Sequence, residues 1–414
     1  MTDFDLSAAQ TFLSNNSLFN NEENLSNLEI TSIPLALYIH IPWCVKKCPY
    51  CDFNSHEMPD NMSERMFDDY VDALLLDAKS QQPLTQNRQI SSIFIGGGTP
   101  SLLPIAQYRR LFSGLKDYFE FSPDIEITME ANPGTLEYAP FSEYLDVGIN
   151  RLSIGVQSFN DKKLSDLGRI HQADHAISAI KSARNAGFRR VNVDLMHGLP
   201  NQSAAQALFD IQMAHDAGAT HLSWYQLTVE PNTVFYRNQP NLPDEDELAD
   251  IEDLGRAKLQ ALGYRNYEVS AWSGKDDKPC RHNVNYWQFG DYLAIGAGAH
   301  GKISTSSGIY RFSKSRLPKD YVGFKALNIL APKMVGFEAI DQDELASEFM
   351  LNVLRLNDGT PWSMFSARTG LSCDSIAGQV KRLVDKGLIV SDPKMLKTTA
   401  LGARYLNQIL QEFL

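Results

Sequence analysis

Three of the five cysteines, Cys44, Cys48 and Cys51, fall in the stretch IHIPWCVKKCPYCDFNSH (39–56), with the spacing C-x3-C-x2-C. Three thiolates this close can ligate three irons of a 4Fe–4S cube and leave the fourth iron without a protein ligand, open to a small chelating molecule. A structural zinc site is the first alternative, but zinc wants four protein ligands, usually as two separated pairs. Three inert buried thiols are the second, and the tight spacing argues against them. Cys280 and Cys373 lie far off, in a polar loop and near a helix start, and are not expected to be ligands.

Other polar residues gather at what read as strand ends. GGGTPS (96–101) follows an apolar run, and glycines let a ligand approach the backbone closely. Glu130, Gln157, Arg169 and Asp194 each stand at or just past such a run. Singly, each suits a helix cap or a surface position. Together they suit a charged ligand: Arg169 a carboxylate through paired hydrogen bonds, Glu130 and Asp194 hydroxyls or an ammonium. A second constellation is RHNVNYW (281–287). Imidazole is a common axial ligand of heme iron, aromatic rings can cover a porphyrin face, and Arg281 can meet a propionate. The bland reading is that His282 and Asn283 cap a turn and the aromatics fill a core. His171, His197 and His300 compete with His282 as ligands.

The elements that must carry these residues alternate. Short apolar runs at 36–41, 92–98, 125–132, 151–157, 191–198 and 221–227 read as buried parallel strands, separated by stretches of helical spacing. The pattern fits either a doubly wound sheet or a barrel with its site at the C-terminal strand ends. Beyond residue 240 a long amphipathic helix (245–262) precedes YRNYEVSAW (264–272), which could form a further strand, and residues 302–340 read as irregular. From about Asp343 the order helix, short helix (362–369), turn, helix (373–386) resembles a winged-helix module. Residues 1–33, rich in Asn, Ser and Glu, read as a flexible extension.

Composition narrows the class. Hydrophobic residues make up 43% and charged residues 21%, as expected of a soluble globular protein. A net charge of −12 argues against general phosphate binding, so no nucleic-acid partner is expected. No run is long enough to span a bilayer, no secretory signal or membrane anchor is visible, and an odd, clustered cysteine set suits a reducing compartment, so a cytoplasmic location is expected.

The cysteine spacing, with Tyr50 just before the third thiol, resembles the radical S-adenosylmethionine (SAM) enzymes, in which the amino and carboxylate groups of SAM chelate the open iron. The resemblance implies a partial (β/α)6 barrel over residues 34–240. A smaller α+β region follows, divided into 241–340, with the HNxxYW motif, and a winged-helix-like end at 341–414. MEANPG (129–134), IGVQSF (154–159), LGRIH (167–171) and DLMHGLP (194–200) are similar to the coproporphyrinogen-oxidase-like family of radical SAM proteins. In that family the residues matching Tyr38, Gly98, Thr99, Glu130, Gln157, Arg169 and Asp194 contact SAM, and the glycine segment meets its amino group. The oxidase carries a fourth cysteine where this chain has Phe53, and HNVNYW (282–287) resembles the heme-chaperone branch instead. That branch implies heme at His282, heme-accepting proteins, at the membrane or elsewhere, and a reductant protein as partners. The competing expectation is an oxygen-independent coproporphyrinogen III oxidase, with SAM cleaved in turnover.

Overall fold

The computed structural model describes residues 28–135, 139–323 and 334–414. Residues 1–27 of the expected extension lie outside the described residues, and Ile30–Ser32 form one 3-10 turn. The six apolar runs are strands: β1 (Leu35–Ile41), β2 (Ile90–Gly97), β3 (Phe121–Ala131), β4 (Arg151–Gln157), β5 (Arg190–His197) and β6 (His221–Gln226). They pair in parallel in that order. Parallel strands are covered on both faces, which explains why they read as nearly continuous apolar runs.

The crossovers are helical: α1 (Glu64–Gln81), α2 (Ile105–Tyr118), α3 (Phe141–Asp146), α4 (Asp161–Asp166), α5 (Ala173–Asn185) and α6 (Ala204–Ala217). Each long helix buries one stripe; in α1 it is Tyr70, Val71, Leu74 and Ala78. Helix α6 shows why the boundaries are sharp. Ser203 and Gln206 exchange capping hydrogen bonds at its start, and Gly218 ends it at φ 102°, a left-handed conformation that glycine adopts without strain. After α7 (Val234–Arg237), α8 (Glu245–Ala261) begins with the same device, Asp244 against Glu247.

Past residue 262 the structure departs from the sequence reading. YRNYEVSAW is two short strands, β7 (Arg265–Asn266) and β8 (Ala271–Ser273), antiparallel to each other, with β8 antiparallel to β6. Helix α9 (Arg281–Trp287) holds the HNxxYW motif. Strand β9 (Asp291–Ile295) then returns to pair in parallel with β1, Leu35 opposite Asp291 and Ile39 opposite Ile295. The stretch expected to be irregular carries β10 (His300–Thr305), β11 (Gly308–Lys314), α10 (Pro318–Gly323) and β12 (Met334–Ala339). The sheet therefore runs β12-β11-β10-β9-β1-β2-β3-β4-β5-β6-β8-β7.

This extension hides charge. The carboxylate of Asp291 accepts hydrogen bonds from Arg88 (2.8 Å), Lys302 (3.1 Å) and both the amide and hydroxyl of Ser304 (3.0 and 2.8 Å). Burial raises its pKa, but Lys302 and Arg88 outweigh burial and hold it below the usual carboxylate range. Lys314 and Asp77 form a second fully buried pair at 2.8 Å. The C-terminal region forms a separate core with Phe289 and Ile309, built from α11 (Gln342–Val353), α12 (Trp362–Thr369), α13 (Ala377–Asp385), α14 (Ala400–Arg404) and α15 (Leu406–Gln411). Thr360–Pro361 pair antiparallel with Met395–Leu396 there, an α+β arrangement.

Replacing Asp291 by Ala leaves two buried cations unpaired. Loss of one partner from a buried ion pair costs about 3–5 kcal/mol. A marked fall in the urea midpoint of Asp291→Ala is expected, and a shift no larger than that of a surface Asp→Ala control would contradict this account.

Candidate functional site

The cysteine loop leaves the C-terminal end of β1. Its ends are joined where Trp43–Cys44 pair with His56–Glu57, and Trp43 is buried edge-on against Phe67 and Tyr70. Asn54 fixes the middle: its side-chain amide donates to the carbonyls of Ala297 (3.0 Å) and Arg316 (2.8 Å). Its own carbonyl faces Nε2 of His40 at 2.9 Å, and Nδ1 of His40 lies 3.0 Å from the Tyr38 hydroxyl. Burial lowers the His40 pKa to about 4, so the ring is neutral, donating to Asn54 and accepting from Tyr38.

The glycine segment lies against this loop. Gly97 has φ 117°, and a Cβ there would come within 2.6 Å of the His40 ring; one on Gly98 would sit 2.5 Å from the Trp43 carbonyl. The amides of Gly98 and Thr99 donate to the carbonyls of Ile41 (2.8 Å) and Trp43 (2.7 Å), and that of Gly97 to Glu130 (3.1 Å). All three amides are thus satisfied within the protein. Any backbone hydrogen bond to a ligand here would go to a carbonyl, the acceptor an ammonium group needs, and that of Thr99 already accepts from the Leu102 amide (3.0 Å).

Cys44, Cys48 and Cys51 line one cavity of about 410 Å³ together with Gly98, Thr99, Glu130, Gln157, Arg169 and Asp194. Each thiol has its own polar neighbour: Thr99 for Cys44 (3.7 Å), Arg169 for Cys48 (3.6 Å) and Ser55 for Cys51 (3.7 Å). Burial raises the thiol pKa of Cys44 and of Cys51. Among the described residues, no three His, Cys, Asp or Glu side chains converge on a single metal-ion position. Three thiols on one cavity wall, each turned to a different neighbour, fit a polynuclear cluster better than one zinc ion.

The other polar residues are held from behind. Arg169 donates to Asn132 (2.6 Å) and the Gly155 carbonyl (2.7 Å), and its Nε is buried without a partner. Gln157 has φ 70°, a strained value for a residue with a side chain. The corner is pinned by Asp210 on α6, which accepts from Ser158 Oγ (2.8 Å) and the Phe159 amide (2.7 Å), while Tyr225 donates to the side-chain Oε1 of Gln157 (3.0 Å). Asn132, Asp210 and Tyr225 were not singled out from sequence. Asn132 sits inside MEANPG and could have been; Asp210 is an ordinary helix residue until the fold brings it to the corner.

Tyr38, expected with the SAM set, lies elsewhere. It lines a second cavity of about 930 Å³, with Phe94, His282, Asn283 and Tyr286. The His282 ring stacks on Phe94 (centroids 4.7 Å, 18°), lies near Tyr38 (6.3 Å, 26°) and meets Tyr286 edge-on (4.5 Å, 85°). It is 4% exposed, and its Nδ1 is buried without a hydrogen-bond partner. Burial, then Arg151, lowers its pKa to about 3, leaving a neutral imidazole with a lone pair. Of the competing histidines, His171 is buried with Nε2 3.1 Å from the Val156 carbonyl, and His197 is buried against Trp224. Only His300 lines the same cavity, at its exposed rim. The two cavities share Asp52, Phe53, Gly97 and Glu130 as a common wall.

Two sequence readings need correction. Arg281 does not reach the porphyrin-sized cavity: it pairs with Asp124 at the opposite, N-terminal end of the strands, because α9 enters from there and turns successive side chains to different sides. Cys280 is fully buried rather than in a polar loop; its thiol donates to Glu126 (3.5 Å), and burial pushes its pKa up to about 12. The polar residues preceding it concealed the tertiary partners.

Comparison with known proteins agrees with this geometry. The chain matches the radical SAM superfamily over residues 38–212 and the HemN C-terminal domain over residues 340–405. It is similar to the heme chaperone HemW of Haemophilus influenzae, 45% identical over 386 residues covering 92% of this chain and 98% of that protein. The heme chaperone HemW of Escherichia coli is 46% identical over 382 residues, with 92% and 98% covered. That of Bacillus subtilis is 33% identical over 390 residues, with 92% and 99% covered. Among solved structures it resembles coproporphyrinogen III oxidase (HemN) from Escherichia coli, a radical SAM enzyme, with 25% identity and a TM-score of 0.78 over 94% of this chain and 92% of that one.

The shared wall holds an acid that titrates unusually. Burial, then the nearby Asp194 carboxylate, raises the Glu130 pKa from 4.5 to about 8, with the Gly97 amide opposing. Between those values the unfolded chain has lost the proton and the native protein still holds it. Stability of the ligand-free protein therefore falls as pH rises from about 4.5 to 8. In Glu130→Gln that decline should flatten, read from thermal midpoints across the range; an unchanged slope would assign the effect to another group.

Proposed function

Because the chain belongs to the heme chaperone HemW family within the radical SAM superfamily, we propose that it binds heme and passes it to heme-accepting apoproteins. Cys44, Cys48 and Cys51 hold three irons of a 4Fe–4S cluster. Gly98, Thr99, Glu130, Gln157, Arg169 and Asp194 bind SAM beside it, and Tyr38 reaches SAM or porphyrin across the shared wall. When bound, the cluster supplies one-electron reducing chemistry, and a reductant protein provides the electron. His282 would hold the heme iron.

The observation that carries this reading is His282 itself. A buried imidazole without a partner at Nδ1 is costly to a fold unless a ligand uses the ring. Here it is neutral, walled by three aromatic rings and set on a cavity of cofactor size. The protein's residues divide the work. Phe94, Tyr38 and Tyr286 exclude water and fix the ring plane. Trp287, packed 4.3 Å under the Arg355 guanidinium, ties the same helix to the C-terminal region. In this reading residues 34–240 form the cluster and SAM part, 241–340 the heme part, and 341–414 a region that steadies it. No helix among the described residues is long and apolar enough to cross a membrane, and we take the location to be cytoplasmic.

Likeness to the oxidase supports a second reading, radical decarboxylation of coproporphyrinogen III. Phe53, standing where the oxidase has its fourth cysteine, favours the chaperone.

Two measurements follow. Heme titrated into the cluster-reconstituted protein should give saturable visible absorption in the wild type and binding at least about tenfold weaker in His282→Ala, since losing even a group that only supports a metal ligand costs about 10–100-fold. No uptake by the wild type would overturn the chaperone reading, and propionate-to-vinyl conversion in an anaerobic assay would then support the oxidase. Cys48→Ser should lose the cluster's charge-transfer absorption while keeping heme binding. Loss of both would mean the two sites are not separable.

A further inference from the structure

With Arg281 turned away, the second cavity needs another partner for the carboxylates of a porphyrin. We propose that Arg316, at the mouth of this cavity, binds a propionate of the porphyrin, an inference that rests on the heme reading above. The cavity is amphiphilic in the same sense as its ligand. His282, Phe94, Tyr38 and Tyr286 make an aromatic wall, buried at His282 and half-buried at the other three, while Arg316, Leu317 and His300 lie at the exposed rim. A porphyrin macrocycle is apolar, with its carboxylates along one edge. Seated against His282, it keeps that edge at the rim, since burying ionised carboxylates without partners is strongly unfavourable.

Arg316 is placed for this by its backbone. Its carbonyl accepts from the Asn54 side chain at 2.8 Å and lies 3.2 Å from His56 Nε2, so the turn after β11 is anchored to the cysteine loop. Among the described residues the Arg316 guanidinium makes no ion pair, whereas Lys314, two positions earlier, is fully committed to Asp77. Its charge lies near enough to His300 on the same rim to help lower that ring's pKa, behind the larger effect of burial. Asp52 and Asp320 also line the cavity and set its limit: a ligand with more than a few negative charges would be repelled. A planar guanidinium meets a carboxylate through two parallel hydrogen bonds, which an exposed lysine cannot reproduce.

The test compares heme with heme dimethyl ester, in which both propionates are neutral, on the full cluster-reconstituted chain. Wild type should bind heme about tenfold tighter than the ester, the scale of one charge-assisted contact. Arg316→Gln should lose that preference, weakening heme while leaving the ester unchanged, and Arg316→Lys should restore only part of it. His282→Ala should weaken both ligands alike. Equal loss of heme and ester affinity in Arg316→Gln, or a preserved preference, would overturn the assignment of Arg316 alone. If the wild type binds neither ligand, the heme reading itself fails and this inference falls with it.

Discussion

One residue, Asn54, ties the functional end of the molecule together. Between β1 and α1 the chain makes a long excursion with only a two-residue strand pairing to shape it. What fixes it is a set of hydrogen bonds joining Asn54 to three distant segments: its backbone carbonyl accepts from His40 on β1, and its side-chain amide donates to the carbonyls of Ala297 after β9 and Arg316 after β11. Each is worth only about 1 kcal/mol net, but leaving any of these half-buried groups unpaired costs more. The fit is close on every side: a Cβ on Gly298 would come within 2.2 Å of the Asn54 amide. Through Asn54 the cysteine loop is therefore tied both to β1 and to the turn that carries Arg316.

On that frame the protein sets two unlike cavities side by side. The smaller is acidic and polar. Burial raises the pKa values of both Glu130 and Asp194, a state that a cationic ligand relieves. The larger is aromatic, with a neutral imidazole. Glu130 and Phe53 belong to both, so a ligand in one cavity changes what the other faces. Phe53 is 60% exposed and open to a ligand from either cavity.

Much of this was readable in the chain because its carriers are local. The cysteines are neighbours in sequence, and six parallel strands announce themselves as apolar runs because both faces are covered. Reading failed where burial came from pairing rather than from apolar character. β10 and β11 contain Lys302, Ser304, Arg311 and Lys314, a polar pattern that suggested irregular chain, yet Lys302 and Lys314 are buried against Asp291 and Asp77. It also failed where direction mattered. HNVNYW was recognised as a motif, but only the helix shows that His282 looks into the cavity while Arg281 looks out of the far end, and only β1 shows Tyr38 beside His282, next to the Glu130 that both cavities share. Asp210, which pins Gln157, carries no sequence signal because its role exists only across the β4–α6 contact.

The pairing of β1 with β9 sets an order of events during synthesis. Leu35 lies opposite Asp291, so the first strand waits for more than 250 further residues before its second edge is covered. The clasp on Asn54 is complete only when Arg316 has been made. As the ribosome releases the chain, the thiols emerge early and their final surroundings late. The finished surroundings of the three thiols are therefore a property of the completed polypeptide, not of its first half.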